Sequence, residues 1–358
     1  MISFKKIKRS YIRFRINLKY SFNLKKPLLL LRILKNYFNL LVLKKIPLRY
    51  VDVAVGYSCN LLCNHCSASK FSKKNNERVS IEDYKKLAKQ CLEMGVITVG
   101  FTGGEPVLYK DLDEIIKTFQ PNKTMISLVT NATLLDEEKI LRFKKLGVDI
   151  FCVSLDSFYE EEHDSFRGVK GAYQKTINSI NLALKNGLKI VLVTTVTHDN
   201  VRSESIKKLI GLTKEMNLLM IFSLACPSGK WTNQDNQILL NEDDIQYMNQ
   251  LFLEYPHLRR DFDSNWLKKG CSAGTEKLYF TPYGDVIPCP FIHISFGNIK
   301  DTSLEIIRSR LLKIPEFNEY HKKCLAGEDM DFSRRYVIKA NSQEKVPVDY
   351  KKIFIDHN

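Results

Sequence analysis

From residue 51 onward, short apolar runs alternate with longer amphipathic stretches. Runs at 51–56, 97–101, 125–129, 149–154, 189–196 and 219–223 are candidate strands. The stretches at 80–94, 111–119, 136–146, 173–186, 203–216 and 242–254 carry apolar residues at helical spacing. Six strand–helix units in a row predict an α/β fold built on a parallel sheet with right-handed crossovers, either open or closed toward a barrel. Sites on such sheets gather at the carboxyl ends of the strands. Beyond residue 256 the alternation stops, which predicts a second, smaller module. Residues 67–79, rich in Ser, Lys and Asn, are expected to form an exposed loop.

The first 48 residues follow a different pattern. From Ile12 to Leu24 apolar and polar positions alternate strictly, as in a half-buried strand or a segment lying at an interface. From Pro27 to Leu43 the polar positions are Arg32, Lys35, Asn36 and Asn39, one narrow stripe on an otherwise apolar helix with Pro27 at its first turn. Charge sharpens the contrast: the whole chain carries +15, yet residues 1–48 hold thirteen Lys and Arg and no acid, so the rest is almost neutral. A membrane span needs roughly 20 mostly apolar residues, and Arg32 and Lys35 interrupt this one. An amphipathic helix lying on an anionic membrane surface fits better. The alternatives are packing against the main domain, docking to an acidic partner, or a nucleic-acid contact. No small-residue cleavage site follows the apolar stretch, against a cleaved signal peptide. The expected organisation is a basic amphipathic leader over 1–48, a core domain over 49–256 and a C-terminal region over 257–358.

Nine cysteines without a secretory signal point to a reducing cytosol, where clustered thiols serve as metal ligands. Cys91 and Cys152 lie inside apolar runs and are expected to be buried small hydrophobes. Cys59, Cys63 and Cys66 form a C-x3-C-x2-C loop directly after the first strand. Three thiolates on a four-iron cube leave one iron without a protein ligand, open to chemistry. A zinc knuckle would bring two C-x2-C pairs or a His pair, and none is nearby. The spacing resembles the cluster loop of the radical S-adenosylmethionine (SAM) enzymes, with His65 where that family often has an aromatic residue.

Further motifs share the resemblance. After the second strand, Gly103-Gly104-Glu105-Pro106 resembles the family's GGEP turn, whose backbone and glutamate hold the amino group of the SAM methionine. Ser154 and Asp156 share one side of the fourth strand's extended end, which in similar enzymes contacts the ribose and methionine. Arg167 resembles the arginine that pairs with the methionine carboxylate, a contact suited to a guanidinium fork. Thr130-Asn131 are expected to face the site, and Thr197 to Asn200 to approach the adenosine. The resemblance implies a partial (β/α)6 barrel. It also implies reductive cleavage of SAM at a [4Fe–4S] cluster to a 5′-deoxyadenosyl radical, which abstracts hydrogen from a substrate.

Cys271, Gly284 and Cys289 form C-x12-G-x4-C, with Tyr279 to Thr281 and Val286-Ile287 suited to a hairpin, and Cys324 follows. The pattern resembles a SPASM or twitch extension, a small α+β unit that carries an auxiliary [4Fe–4S] cluster. Twitch modules commonly have C-x2-C near the end, whereas here Gly327 stands at that spacing. The fourth ligand is left open between Cys226, Glu328 or Asp329, substrate, or none. The expected function is thus a radical SAM enzyme, an oxidoreductase or transferase with no catalytic residue assigned. Its substrate is a lipid, a lipid-linked saccharide or a peptide or protein, the lipid classes being weakly favoured by the leader. A low-potential ferredoxin or flavodoxin is the expected electron donor, and the expected location is cytoplasmic, with peripheral association on the inner membrane face as the alternative the leader adds. The competing readings are a non-catalytic iron–sulfur protein and an RNA-modifying radical SAM enzyme. RNA is disfavoured because the basic residues are mingled with aliphatic runs.

Overall fold

The computed structural model describes residues 4–21, 23–73, 77–232, 238–261 and 270–354. Helices α1 (Phe4–Ser21) and α2 (Pro27–Leu41) precede strand β1 (Tyr50–Gly56). Then α3 (Ile81–Glu93), β2 (Thr98–Gly103), α4 (Leu112–Thr118), β3 (Met125–Thr130), α5 (Glu137–Leu146) and β4 (Val148–Ser154) alternate. They are followed by α6 (Glu160–Arg167), α7 (Ala172–Lys185), β5 (Lys189–Val196), α8 (Glu204–Glu215), β6 (Leu219–Leu224) and α9 (Glu242–Glu254). All six expected strands and all six expected helices are present, with α6 an addition. Local capping fixes several starts: Ser80 and Asp83 form a capping box on α3, and Asn241 and Asp244 one on α9.

Strands β1 to β6 pair in parallel in chain order, and β7 (Leu258–Arg260) continues the sheet beyond β6. On the other edge β8 (Lys277–Phe280) pairs in parallel with β1, and β9 (Val286–Ile287) closes the expected hairpin. The C-terminal region therefore extends the same sheet on both of its edges. A short parallel pair, β10 (Ile294–Ser295) with β11 (Val348–Asp349), and helix α10 (Leu304–Leu312) complete it. Outward-facing residues such as Phe101, Leu128, Phe151, Val153, Leu192 and Phe222 form the main core with the helices.

The expectation of a strand over 12–24 is overturned: residues 4–21 are helical. The physical reason is that Ile12, Ile16 and Tyr20, three members of the alternating set, also lie four residues apart and so share one helix face. That face and Leu29 of α2 pack on Ile97, Met125, Ile150, Val191 and Leu219, at the amino ends of β2 to β6. The strand face that presents Ile150, Val191 and Leu219 to the leader carries Ser154, Thr195 and Ser223 farther along. The leader thus plugs the floor of the partial barrel. Tyr20 donates its hydroxyl proton to Ile190 O at 2.7 Å and accepts from Leu219 N–H at 3.2 Å. Lys26 is buried, pairing with Asp149 and donating to Thr124 O and Gly147 O.

The polar stripe of α2 also turns inward. Arg32 donates to Leu92 O and Val96 O, and Asn36 to Gly95 O. Its outer side exposes Leu31, Leu34, Phe38 and Leu41, continued by Phe14 and Leu18 of α1. No helix among the described residues is long and apolar enough to cross a membrane. Residues 67–79 are also more structured than expected. Ser67–Lys73 is a 3-10 helix whose Phe71 is buried and stacks on Tyr57 at 5.0 Å, and 74–76 lie outside the described residues.

Candidate functional site

The sheet's carboxyl edge opens into a cavity of about 430 Å3 lined by Cys59, Cys63, Cys66, Gly103, Gly104, Asn131, Ser154 and Arg167, among others. The cysteine loop that forms one wall is held from three sides. Leu62 N–H and Asn64 N–H donate to Arg167 O and Phe166 O, both at 3.0 Å. Lys230 Nζ donates to Leu62 O at 2.9 Å and Cys63 O at 2.7 Å. Asn131 reaches Asn60 at 2.9 Å, and Asn60 reaches Thr133 at 2.8 Å. The three thiols are free of disulfides. Burial, with the Cys63 thiol beside it, raises the pKa of Cys66.

His65 behaves as the aromatic residue whose place it takes. Its ring stacks on Phe166 at 4.4 Å and lies 5.7 Å from Trp231. Burial lowers its pKa to about 3, so the ring stays neutral.

The paired glycines let this loop and β2 touch. Gly103 has φ +129°, and a Cβ there would stand 2.1 Å from Gly56 O; one on Gly104 would stand 2.3 Å from Ser58 O. Gly104 N–H donates to Gly56 O at 2.8 Å and Glu105 N–H to Ser58 O at 2.9 Å. Glu105 itself is fully buried and is absent from the cavity lining. Its carboxylate accepts from Thr130 Oγ1 and Asn131 N–H, each at 2.8 Å, and from Val107 N–H at 3.2 Å. Burial pushes its pKa up to about 7 against those bonds. It braces the Gly-Gly turn against the end of β3.

Arg167 is the last residue of α6, which ends on Gly168 at φ +70°. Its guanidinium pairs with Asp156 and lies 3.6 Å from Cys63 Sγ, while its buried Nε has no hydrogen-bond partner. Asp156 sits behind Arg167 and accepts Thr195 N–H at 2.8 Å. Burial alone would raise its pKa, but the adjacent guanidinium wins and holds it below the usual carboxylate value. Ser154 lines the cavity, whereas Asp156 does not. Thr195 of β5, Ser223 of β6, and Lys230 and Trp231 of the 3-10 turn after β6 face the cavity, while His198 turns away to Asp244 at 2.7 Å. Lys230 escaped sequence reasoning; its only signal is the Pro-Ser-Gly turn before it.

This donor set fits a cluster and SAM: three clustered thiols, glycine backbone without side chains, and a buried guanidinium with one unused N–H.

A second thiol group lies under the C-terminal region. Cys271 exchanges backbone hydrogen bonds with His321, Cys289 follows β9, and Cys324 sits in a loop. All three are free, and the Cys324 thiol lies near enough to those of Cys226 and Cys271 to shift its titration, which burial also pushes up. Burial pushes the Cys289 thiol up to about 12, with Cys271 adding to the shift.

The comparisons agree with this geometry. The family model described as the radical SAM superfamily matches residues 53–212, and one described as an iron–sulfur cluster-binding domain, SPASM, matches 271–326. An AdoMet-dependent heme synthase of Oleidesulfovibrio alaskensis is 27% identical over 312 residues, covering 77% of this chain and 79% of that protein. The antilisterial bacteriocin subtilosin biosynthesis protein AlbA of Bacillus subtilis is 28% identical over 287 residues, covering 75% and 62%. Among solved structures, Streptococcus suis SuiB bound to precursor peptide SuiA superposes with a TM-score of 0.61 at 17% identity, covering 81% of this chain and 70% of that one. Native anSMEcpe with bound AdoMet gives 0.56 at 19%, covering 76% and 83%. The chain belongs to the radical SAM superfamily: it is an enzyme that uses a [4Fe–4S] cluster and S-adenosylmethionine, with a C-terminal SPASM domain for auxiliary iron–sulfur chemistry.

Proposed function

We propose that the protein cleaves SAM reductively and removes a hydrogen atom from a solvent-borne substrate, a peptide, protein or sizeable metabolite, at the carboxyl edge of the sheet. The observation that carries this reading is the meeting of three thiols, the Gly-Gly turn and the unused Arg167 N–H in one cavity. When bound, the cluster and SAM supply one electron and a primary carbon radical able to attack an unactivated C–H bond. The chain's own residues then bind and orient. Cys59, Cys63 and Cys66 hold the cluster, leaving one iron for the methionine end of SAM. Arg167, fixed by Asp156, offers its free N–H to the methionine carboxylate. The backbone of Gly103 and Gly104 takes the amino end, with Glu105 bracing it from below, and Ser154 approaches the ribose. His65, backed by Phe166, and Trp231 line the cavity with an apolar wall that keeps water from the reacting carbon.

The position of the leader supports this choice of substrate class. Its exposed apolar side and basic residues suit an anionic lipid surface, but it lies at the floor, opposite the cavity. Docked there, the protein would hold its mouth toward solvent, which favours a soluble substrate over a membrane lipid. Two of its relatives are named for heme synthesis and for biosynthesis of the bacteriocin subtilosin. The test is 5′-deoxyadenosine release by anaerobically reconstituted protein with dithionite and SAM, adding soluble and membrane fractions of the source cells separately. Stimulation by the soluble fraction is expected; stimulation by membranes alone would sink the substrate reading.

A further inference from the structure

The auxiliary cysteines in the C-terminal region number three, and the place where a fourth is expected holds Gly327. The fold brings a fourth thiol there from a distant part of the chain. Cys226 lies two residues past β6 and is buried, its thiol donating to Leu224 O at 3.3 Å. Cys324, Cys289 and Cys271 are all near enough to act on its titration. A Cβ built on Gly327 would stand 3.3 Å from Cys226 Sγ. The thiol of Cys226 therefore fills the space that a cysteine side chain at 327 would enter.

The neighbouring carboxylates are otherwise engaged. Glu328 accepts Cys324 N–H at 2.7 Å and pairs with Arg260 at 3.5 Å. Asp329 caps the following turn through Phe332 N–H at 3.0 Å. Asp261 acts on Lys277 as well as on Cys226 and Cys324, and its hard oxygen matches an iron–sulfur cluster less well than thiolate does.

We infer that Cys226 is the fourth protein ligand of the auxiliary cluster, completing a set with Cys271, Cys289 and Cys324. On binding, its thiol proton leaves to solvent and the thiolate takes the remaining iron. Such a cluster has no open iron, so it does not bind substrate directly; it serves as a structural or electron-carrying group. Because Cys226 also lines the SAM cavity, the cluster would tie the core sheet to the C-terminal region at the wall of the reaction chamber. The inference rests on the auxiliary cluster and is independent of the substrate.

The test uses the full chain with Cys59, Cys63 and Cys66 replaced by Ala, so that only the auxiliary cluster contributes, at about four iron per chain. C226A in this background is expected to lose a quarter of the iron or more and to alter the electron paramagnetic resonance spectrum of the cluster. Adding G327C, whose Cβ must move Ala225 O and Leu224 Cβ at 3.0 and 3.2 Å by only a few tenths of an ångström, is expected to restore both. Parental iron and spectrum in C226A would overturn the inference, as would iron loss that G327C does not restore, which marks a packing defect. C271A separates the two levels. Iron lost in C271A but kept in C226A refutes only the fourth ligand, whereas iron kept in both refutes the auxiliary cluster itself.

Discussion

The two thiol groups differ in how the chain delivers them. Cys59, Cys63 and Cys66 come from one eight-residue loop, while Cys226, Cys271, Cys289 and Cys324 come from four separate segments. A loop-borne set depends on local spacing and on a few braces such as Lys230 and Asn131. A dispersed set exists only once β6, the β8–β9 hairpin and the loop at 324 are already packed. The first is therefore built for exchange at an open edge, and the second for coupling parts of the fold.

The largest effect should break that comparison outright. Replacing Cys271, Cys289 and Cys324 with Ala should lower reconstituted iron from about eight to about four per chain and also lower the thermal midpoint of the loaded protein. Replacing Cys59, Cys63 and Cys66 should remove a similar amount of iron with little change in that midpoint. Iron analysis with melting curves checks both, and equal destabilisation by the two triples would erase the distinction.

Next is the charge pair behind the open-edge cluster. R167A strands the buried Asp156 carboxylate, which should cost about 3–5 kcal/mol in denaturant unfolding, along with SAM affinity. R167K should recover most of the stability but not the affinity, because an ammonium lacks the guanidinium fork. Recovery of both would place the carboxylate contact elsewhere.

Glu105 gives a pH signature. Burial raises its pKa from the ordinary 4.5 to about 7, so the stability it contributes is full below about 4.5 and is lost as pH rises through 7. From pH 6 to pH 8 the metal-free protein should lose about 1.4 kcal/mol through this group, a loss absent in E105Q. Identical pH slopes would show that Glu105 stays ionised throughout.

The smallest effects belong to the floor. Y20F removes the bond to Ile190 O and should cost about 1 kcal/mol. L31S with F38S, both exposed, should leave stability within about 0.5 kcal/mol while weakening co-sedimentation with phosphatidylglycerol vesicles. Unchanged vesicle binding would remove lipid from the leader's role.

What the sequence disclosed follows the same local-versus-dispersed divide. The strands, the helices, the three-cysteine loop and the Gly-Gly turn are local patterns and were readable as such. The leader was ambiguous, because Ile12, Ile16 and Tyr20 satisfy period two and helical spacing at once. Only the apolar floor made by Ile97, Met125, Ile150, Val191 and Leu219 decides between them. The inward turn of Arg32 and Asn36 was hidden for the same reason: their partners are backbone carbonyls near residues 92–96. Asp156 was visible as a candidate ligand, but its place behind Arg167 depends on α6, which lay outside the alternating pattern. Cys226 stands 45 residues before Cys271, a separation that no spacing rule spans.

Radical generation at the open-edge thiols is tested by comparing reconstituted protein with its Cys59, Cys63 and Cys66 to Ala variant, each reduced with dithionite and given SAM. 5′-Deoxyadenosine is expected from the former and none above background from the latter, with auxiliary iron retained in both. Equal release from the two, or none from fully loaded wild-type protein supplied with the soluble cell fraction, would contradict it.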